Sequence, residues 1–507
     1  MTARERVLLI GLDMADADLI ETWARNGTLP NLHGIMTAGS WGRLGTTADV
    51  LHTSTWPTIF TGVMPGRHGV YYPYQPCPGL QTARSIGPGQ YGEPPLWELL
   101  HRAGRRSVVF DAPETFPTDE FPGVQIFEWA TWAWYWRRMT VPSELEASLK
   151  RRVGDPPLRH EARRLGLGFP RTDVLSRELL ETAAVKAQAA RWLMQERPWD
   201  AFVLVFAEPH PAGHYLWPTD DAAETSNGRM KALREVYAAV DAAIGHVLEA
   251  CPEDTTVIVV SGDGVGPNHC GWHLLPEVLQ RAGFAHTGGG DQAAKSGARR
   301  SLLQRVRDSV PPAARTAISS RLPWQLRDRL VSRLATDNID WTRSQAFCLP
   351  TDLEGCIRVN LRGREPRGIV EEGAQYDDVC AALTEEALAL VNPDTGAPAV
   401  REVCRIDHRF PGGRRHHLPD LVLTWADAAP IARVYSERTG LVTGTSPDPR
   451  TGTHQPRSFV ALRGPRVRGG TVVNGHHIVD VAPTVLACLG LQPPAPMDGR
   501  VLAAFTG

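Results

Sequence analysis

Residues 52–69, HTSTWPTIFTGVMPGRHG, place an imidazole and three hydroxyls immediately ahead of a Trp-Pro pair. Proline suits the first turn of a helix, where its missing N–H is not needed. Thr58 to Thr61 are therefore expected to continue as a short helix, ended by Gly62 and by Pro65-Gly66. A hydroxyl or an anion at a helix start sits among free backbone N–H groups at the positive end of the helix dipole. A phosphate or sulfate can be held there, beside a nucleophile. An ordinary Thr/Ser N-cap is the alternative reading. A second pattern lies at His210 and His214, four residues apart with Gly213 between them. That spacing puts both imidazoles on one side of a turn, a common zinc arrangement. Two structural histidines in a loop are the other possibility.

The elements around these residues follow from apolar patterning. Val7 to Gly11, Ser107 to Asp111, Asp200 to Ala207 and Thr255 to Ser261 are short apolar runs and read as buried parallel strands. Helices are expected at 16–26, 29–38, 222–250, 376–391 and 480–490, with a polar, helical stretch at 140–195 and a late strand at 419–425. Asp13, Glu208-Pro209-His210 and Gly262-Asp263-Gly264 each follow the carboxyl end of an expected strand, where open α/β sheets bind ligands. The aromatic run 129–136, WATWAWYW, reads as a packed loop or interface, or else as a pocket wall. Residues 285–338, rich in Gly, Ala, Ser and Arg with Pro311-Pro312, read as a linker and helical excursion that could cap the site. A smaller excursion is expected at about 115–198 within one domain spanning 1–507.

The 507 residues suffice for one large α/β domain with insertions, or for two to three domains. A net charge of −2 argues against a general binder of nucleic-acid polymers. The eight cysteines are scattered without a C-x-x-C pair, which points to reduced, cytoplasmic usage rather than a disulfide framework or zinc ribbon. No run of eighteen apolar residues suggests a membrane span, and the short run 7–10 is too brief for a signal peptide.

The pattern W-P-T-x-x-T-G-x-x-P-G-x-H-G at 56–69 resembles the alkaline phosphatase superfamily, most closely its type I phosphodiesterase/nucleotide pyrophosphatase branch. VLLIGLDMAD, FAEPHPAGH, VVSGDGVGPN and GTHQPRS fit the same branch in chain order, and the segment from Val479 to Leu502 looks like its last helix and closing turn. The resemblance implies an α/β fold: a mixed, mostly parallel sheet sandwiched by helices, with helical insertions. It also implies divalent-metal ligands at Asp13, His210, His214, Asp263 and His454. His210 stands where the family usually has Asp, Asp263 where it has His, and Gly262 where it has a carboxylate. Asn268, His269 or His273 could compensate, and one or two ions, zinc or manganese, are expected.

Among nucleophiles Thr53 ranks first, then Thr55, then Ser54. The family's usual interval back from Thr61-Gly62 lands on His52, itself a candidate nucleophile, metal ligand or base. Arg362 and Arg364 are expected to bind the substrate's oxygens. The implied function is a metal-dependent hydrolase of small phosphate or sulfate esters acting through a covalent intermediate. A phosphoryl or sulfuryl transferase, a single-metal variant of the same fold, or a non-catalytic binding protein are the alternatives. No membrane partner is expected, and a homo-oligomer is compatible with the sequence.

Overall fold

A computed structural model describes residues 5–505, except 77–80, 82, 86–90, 119–120, 131–138, 158–170, 220–222, 288–338, 352 and 496. Most of the expected 285–338 insertion and of the aromatic run lies outside the described residues. The chain forms two compact units, one of residues 1–64, 91–267 and 450–507, the other of 65–90 and 268–449.

The first unit is built on an eight-stranded sheet. Its strands are β1 (Arg6–Leu12), β2 (Ser40–Leu44), β3 (Ser107–Phe110), β4 (Val124–Phe127), β5 (Met139–Val141), β6 (Ala201–Phe206), β7 (Thr255–Ser261) and, after a short strand β8 (Gly264–Pro267) and its partner β9 (Gly452–Gln455), β10 (Ser458–Arg463). The order is β2-β10-β7-β1-β6-β3-β4-β5. The inner pairs β7–β1, β1–β6, β6–β3 and β3–β4 are parallel, and the outer pairs β2–β10, β10–β7 and β4–β5 are antiparallel.

The alternation along the inner strands explains their unbroken apolar sequences. Leu8, Ile10 and Leu12 of β1, Phe202, Leu204 and Phe206 of β6, and Val257 and Val259 of β7 enter one core cluster. Val7 and Leu9, Ala201, Val203 and Val205, and Ile258 and Val260 enter another. Successive side chains point to opposite faces, so both faces are covered and apolar residues dominate, with buried polar residues such as Thr255, Thr256, Ser261, Ser107 and Gln125 among them. At about 1.5–3 kcal/mol per buried aliphatic side chain, these few residues outweigh any local propensity.

Helices α1 (Ala17–Arg25), α2 (Pro30–Ala38), α4 (Thr172–Glu196), α5 (Pro209–Leu216) and α6 (Ala223–Glu249) contribute to the first cluster; α3 (Thr55–Thr61) and α7 (Val481–Cys488) contribute to the second. The expected helical stretch 140–195 is divided: β5 takes its start, then come a helix Leu145–Val153 and α4.

The second unit has its own core, between helices such as Ala374–Leu388 and a four-stranded antiparallel sheet. That sheet runs Ala346–Cys348, Gly355–Val359, Leu421–Trp425, Val400–Arg405 in spatial order. No described helix is long and apolar enough to cross a membrane.

Candidate metal centre

Asp13 leaves the end of β1 with its N–H bonded to Phe206 O of the neighbouring strand at 3.0 Å. Its carboxylate is therefore fixed at the carboxyl edge of the sheet. Oδ1 accepts from Trp56 Nε1 at 2.8 Å, and Oδ2 lies 2.8 Å from His210 Nδ1. Burial alone would raise the Asp13 pKa, but the His210 charge and the hydrogen bonds from His210 and Trp56 hold it below the usual carboxylate value.

α5 begins immediately after β6, with Pro209 in its first turn. Its helical spacing stacks His210 over His214, and their Nε2 atoms stand 2.9 Å apart. His214 Nδ1 donates to Gly452 O at 2.8 Å. A Cβ at position 452 would come 2.1 Å from Gly213 O, so only glycine lets β9 approach α5 this closely. β9 pairs antiparallel with β8, setting Val265 opposite His454. His454 Nδ1 thereby meets Asp263 Oδ2 at 2.5 Å, with one proton held between them.

The three rings converge. His454 lies 5.1 Å from His210 and 5.0 Å from His214 between centroids, nearly perpendicular to both. Among the described residues, His210, His214 and His454 form the one cluster of metal-binding side chains, with ligand atoms within 4.8 Å of one another. Each Nδ1 is engaged by an oxygen: Asp13, Gly452 and Asp263 respectively. A ring that donates from Nδ1 carries a lone pair on Nε2. Two such lone pairs facing each other at 2.9 Å repel unless a proton or a metal cation lies between them. An oxygen behind each ligating imidazole is also the usual way a metal-binding histidine is oriented. The donor set fits a cation that favours nitrogen, zinc foremost. Burial, with Arg450, His210 and His454 nearby, pushes the His214 pKa well below the ordinary histidine value, so its lone pair persists into mild acid.

Asp13 and Asp263, expected as ligands, meet the Nδ1 side of the imidazoles in this structure. Burial and the Asp13 charge raise the Asp263 pKa to about 8, against the pull of His52 and His210. A second cation of the kind the resemblance implies would have one carboxylate fewer here. Gly262 offers no carboxylate, and a Cβ there would lie 2.6 Å from Thr55 Cβ and 3.0 Å from its Oγ1. Asn268, His269 and His273 are bonded to Asp448, Asp427 O and Gly444 O, all within the second unit.

The 52–55 stretch forms a 3-10 turn, His52–Ser54, running into α3 at Thr55. Thr53, Thr55 and Ser54 are buried, as is His52, whose ring stacks on His454 at 4.1 Å and 18°. Arg362 pairs with Glu371 at 2.6 Å, and Arg364 with Asp420 and Glu365 at 2.6 and 2.9 Å. Both arginines line a cavity of about 600 Å³ formed by the second unit.

Three contributors carry no sequence signal of their own. Trp56 reads in the sequence as helix punctuation, whereas its indole N–H holds Asp13. Gly452 supplies a carbonyl rather than a side chain. Glu114, in the loop after β3 at φ 60°, keeps a buried Oε2, and burial together with Asp13 and Asp263 pushes its pKa well up.

Comparison with known proteins bears on the family and the fold. A sequence profile described as type I phosphodiesterase/nucleotide pyrophosphatase matches residues 7–447. The chain belongs to that family. Human ectonucleotide pyrophosphatase/phosphodiesterase 5 superposes with a TM-score of 0.51 at 13% identity, covering 98% of this chain and 100% of its own. The murine counterpart gives 0.52 at 15% over the same shares. An inactive threonine-to-alanine variant of the murine protein, in complex with AMP, gives 0.51 at 14%, again over 98% and 100%. At such identities the likeness speaks for the fold. A search of curated proteins gave no match. As a family member this phosphodiesterase-like chain is a hydrolase of the alkaline phosphatase superfamily, with the mostly parallel, helix-flanked sheet of that fold.

Proposed function

We propose that this family member hydrolyses phosphate esters of small molecules, nucleotides among them, with one divalent cation held by His210, His214 and His454. The observation that carries the reading is the convergence of His210, His214 and His454, with ligand atoms within 4.8 Å of one another and each Nδ1 held by an oxygen. A cation bound there would supply Lewis-acid stabilisation of the phosphoryl oxygens. The protein's own part is orientation. Asp13 fixes His210, Asp263 fixes His454, and the Gly452 carbonyl fixes His214. The turn 52–55 beside them supplies the nucleophile of a covalent intermediate. Zinc suits three neutral imidazoles better than magnesium or calcium does; manganese is the second choice. The scattered cysteines, without a C-x-x-C pair, support a reducing, cytoplasmic setting.

The test is elemental analysis beside release of 4-nitrophenolate from bis(4-nitrophenyl) phosphate. Wild type should hold about one ion per chain, and His214→Ala should lose it together with at least about a hundredfold of kcat. Full metal content and activity in His214→Ala would remove the centre from this location.

A further inference from the structure

Resting on the cation site of the reading above, we propose that Lys186, a wholly buried residue that is no ligand, is a positioning residue for that site: its ammonium fixes the start of α5 and, through it, His210 and His214. Three observations lead there. The first is how little α5 holds itself. It has eight residues, and helices so short are marginal on their own. Pro209 brings no N–H to the first turn, and Glu208, at the cap position, makes no side-chain cap. His210 N reaches Ala207 O at 3.1 Å and Ala212 N reaches Glu208 O at 3.3 Å. The direction of the helix must come from its surroundings.

The second is where the Glu208 carboxylate goes instead. Its Oε1 lies 3.2 Å from Lys186 Nζ. The same ammonium donates to Val205 O at 3.0 Å and lies 3.1 Å from Asp111 Oδ2. All three charged side chains are wholly buried. The β3–β6 ladder ends at Phe110 and Leu204, so the ammonium stands where these two strands part. It ties the residue after β3 to the end of β6 and to the residue that opens α5. Both anchors are firm. Asp111 accepts from Trp129 N at 2.7 Å and from Ala130 N at 2.9 Å. Lys186 comes from α4, whose Leu179, Ala183, Ala187 and Ala190 lie in the core.

The third is energetic. Taking an ammonium and two carboxylates out of water offsets much of their attraction, so such a group is a poor source of stability. What three acceptors around one ammonium supply is direction. Burial would lower the Lys186 pKa, but Glu208 and Asp111 hold it above the ordinary lysine value, so all three N–H bonds remain donors. Asp13 and Gly452 O aim the rings of His210 and His214; Lys186 places the backbone that carries both.

The experiment measures zinc affinity of the full chain by competition with a chromophoric chelator, and the visible bands of the cobalt(II) form. Glu208→Ala cuts the tie to α5 while Lys186 keeps Asp111 as its counter-charge. It should bind zinc at least about tenfold more weakly than wild type, with shifted cobalt bands. Glu208→Gln keeps a carbonyl oxygen facing Nζ and should stay within about tenfold. Lys186→Met alone strands two buried carboxylates and should melt early; Lys186→Met combined with Glu208→Gln relieves that repulsion and should bind zinc as weakly as Glu208→Ala. Leu179→Ala opens a cavity under the same helix without touching the ammonium. It should melt earlier yet bind zinc as wild type does. Circular dichroism establishes which variants are folded.

Zinc affinity within about tenfold of wild type in folded Glu208→Ala, or an equal loss in Glu208→Gln or Leu179→Ala, overturns the positioning role and leaves the cation centre standing. If the double variant does not fold, the two Glu208 variants decide alone. Wild type that binds no zinc overturns the centre and this inference together.

Discussion

Two buried polar clusters, one in each unit, answer the same physical problem in opposite ways. In the second unit Asp420 accepts from Arg364 through both oxygens at 2.7 and 2.6 Å, from Tyr376 at 2.8 Å and from Val359 N at 2.7 Å. Arg358 and Arg364 share Glu365 at 2.8 and 2.9 Å, and Arg358 reaches Leu418 O at 2.6 Å. Donors there meet acceptors, and the cluster is complete from within. In the first unit the outer faces of three histidines are likewise satisfied, but their inner nitrogens confront one another. Burial and charge alone do not distinguish a structural network from a functional centre. The sign of what remains does: lone pairs left facing a common point ask for a cation from outside.

The comparison can be broken most forcefully in the second unit. Asp420→Ala removes the bidentate partner of the largely buried Arg364 guanidinium, so about 3–5 kcal/mol of stability should be lost in urea or thermal melts. Cation content at the histidines should follow only the folded fraction. A loss under about 1 kcal/mol would show that the network relaxes into solvent.

Acid should separate the two clusters more gently. Burial depresses the His214 pKa, so below about 6.5 the unfolded chain takes up a proton that the folded chain refuses. The unfolded state then binds more protons, and stability falls with falling pH from that point. Asp420 is opposite in kind. Burial would raise its pKa, but Arg364 holds it below the ordinary value, so its contribution persists until pH drops through and below about 4. Melts of metal-free protein at about pH 7, 5.5 and 4 should decline already at the second value; a flat profile down to about pH 4.5 would contradict the His214 assignment.

The smallest effect belongs to Arg362. Its pair with Glu371 is exposed on both sides. Arg362→Ala should change stability by less than about 0.5 kcal/mol.

Much of the fold and part of the site are legible in the sequence. β1, β6 and β7 stand out because a strand buried on both faces is apolar along its central run, whatever its neighbours. His210 and His214 are legible because helical spacing is local. What stays hidden is non-local. β8, Gly264–Pro267, has almost no strand-forming residues and exists because β9 pairs with it. The collision of a side chain at 262 with Thr55 joins segments whose spacing carries no period. The second unit's ion network is hidden for the same reason: Arg364 and Asp420 each look like a surface residue until Gly355–Val359 and Leu421–Trp425 pair.

The short β8–β9 ribbon has a consequence in time. It delivers His454 to Asp263 across 191 residues, and the Gly452 carbonyl to His214 across 238. Two histidines are thus in place on a chain still being synthesised, while the third and the carbonyl that aims the second have yet to emerge. Two imidazoles alone would hold a cation more weakly than three, so the full site would form only once the ribbon has emerged. Arrival of the ribbon closes a long loop, and the cation's binding energy then becomes folding energy for the last segment to dock.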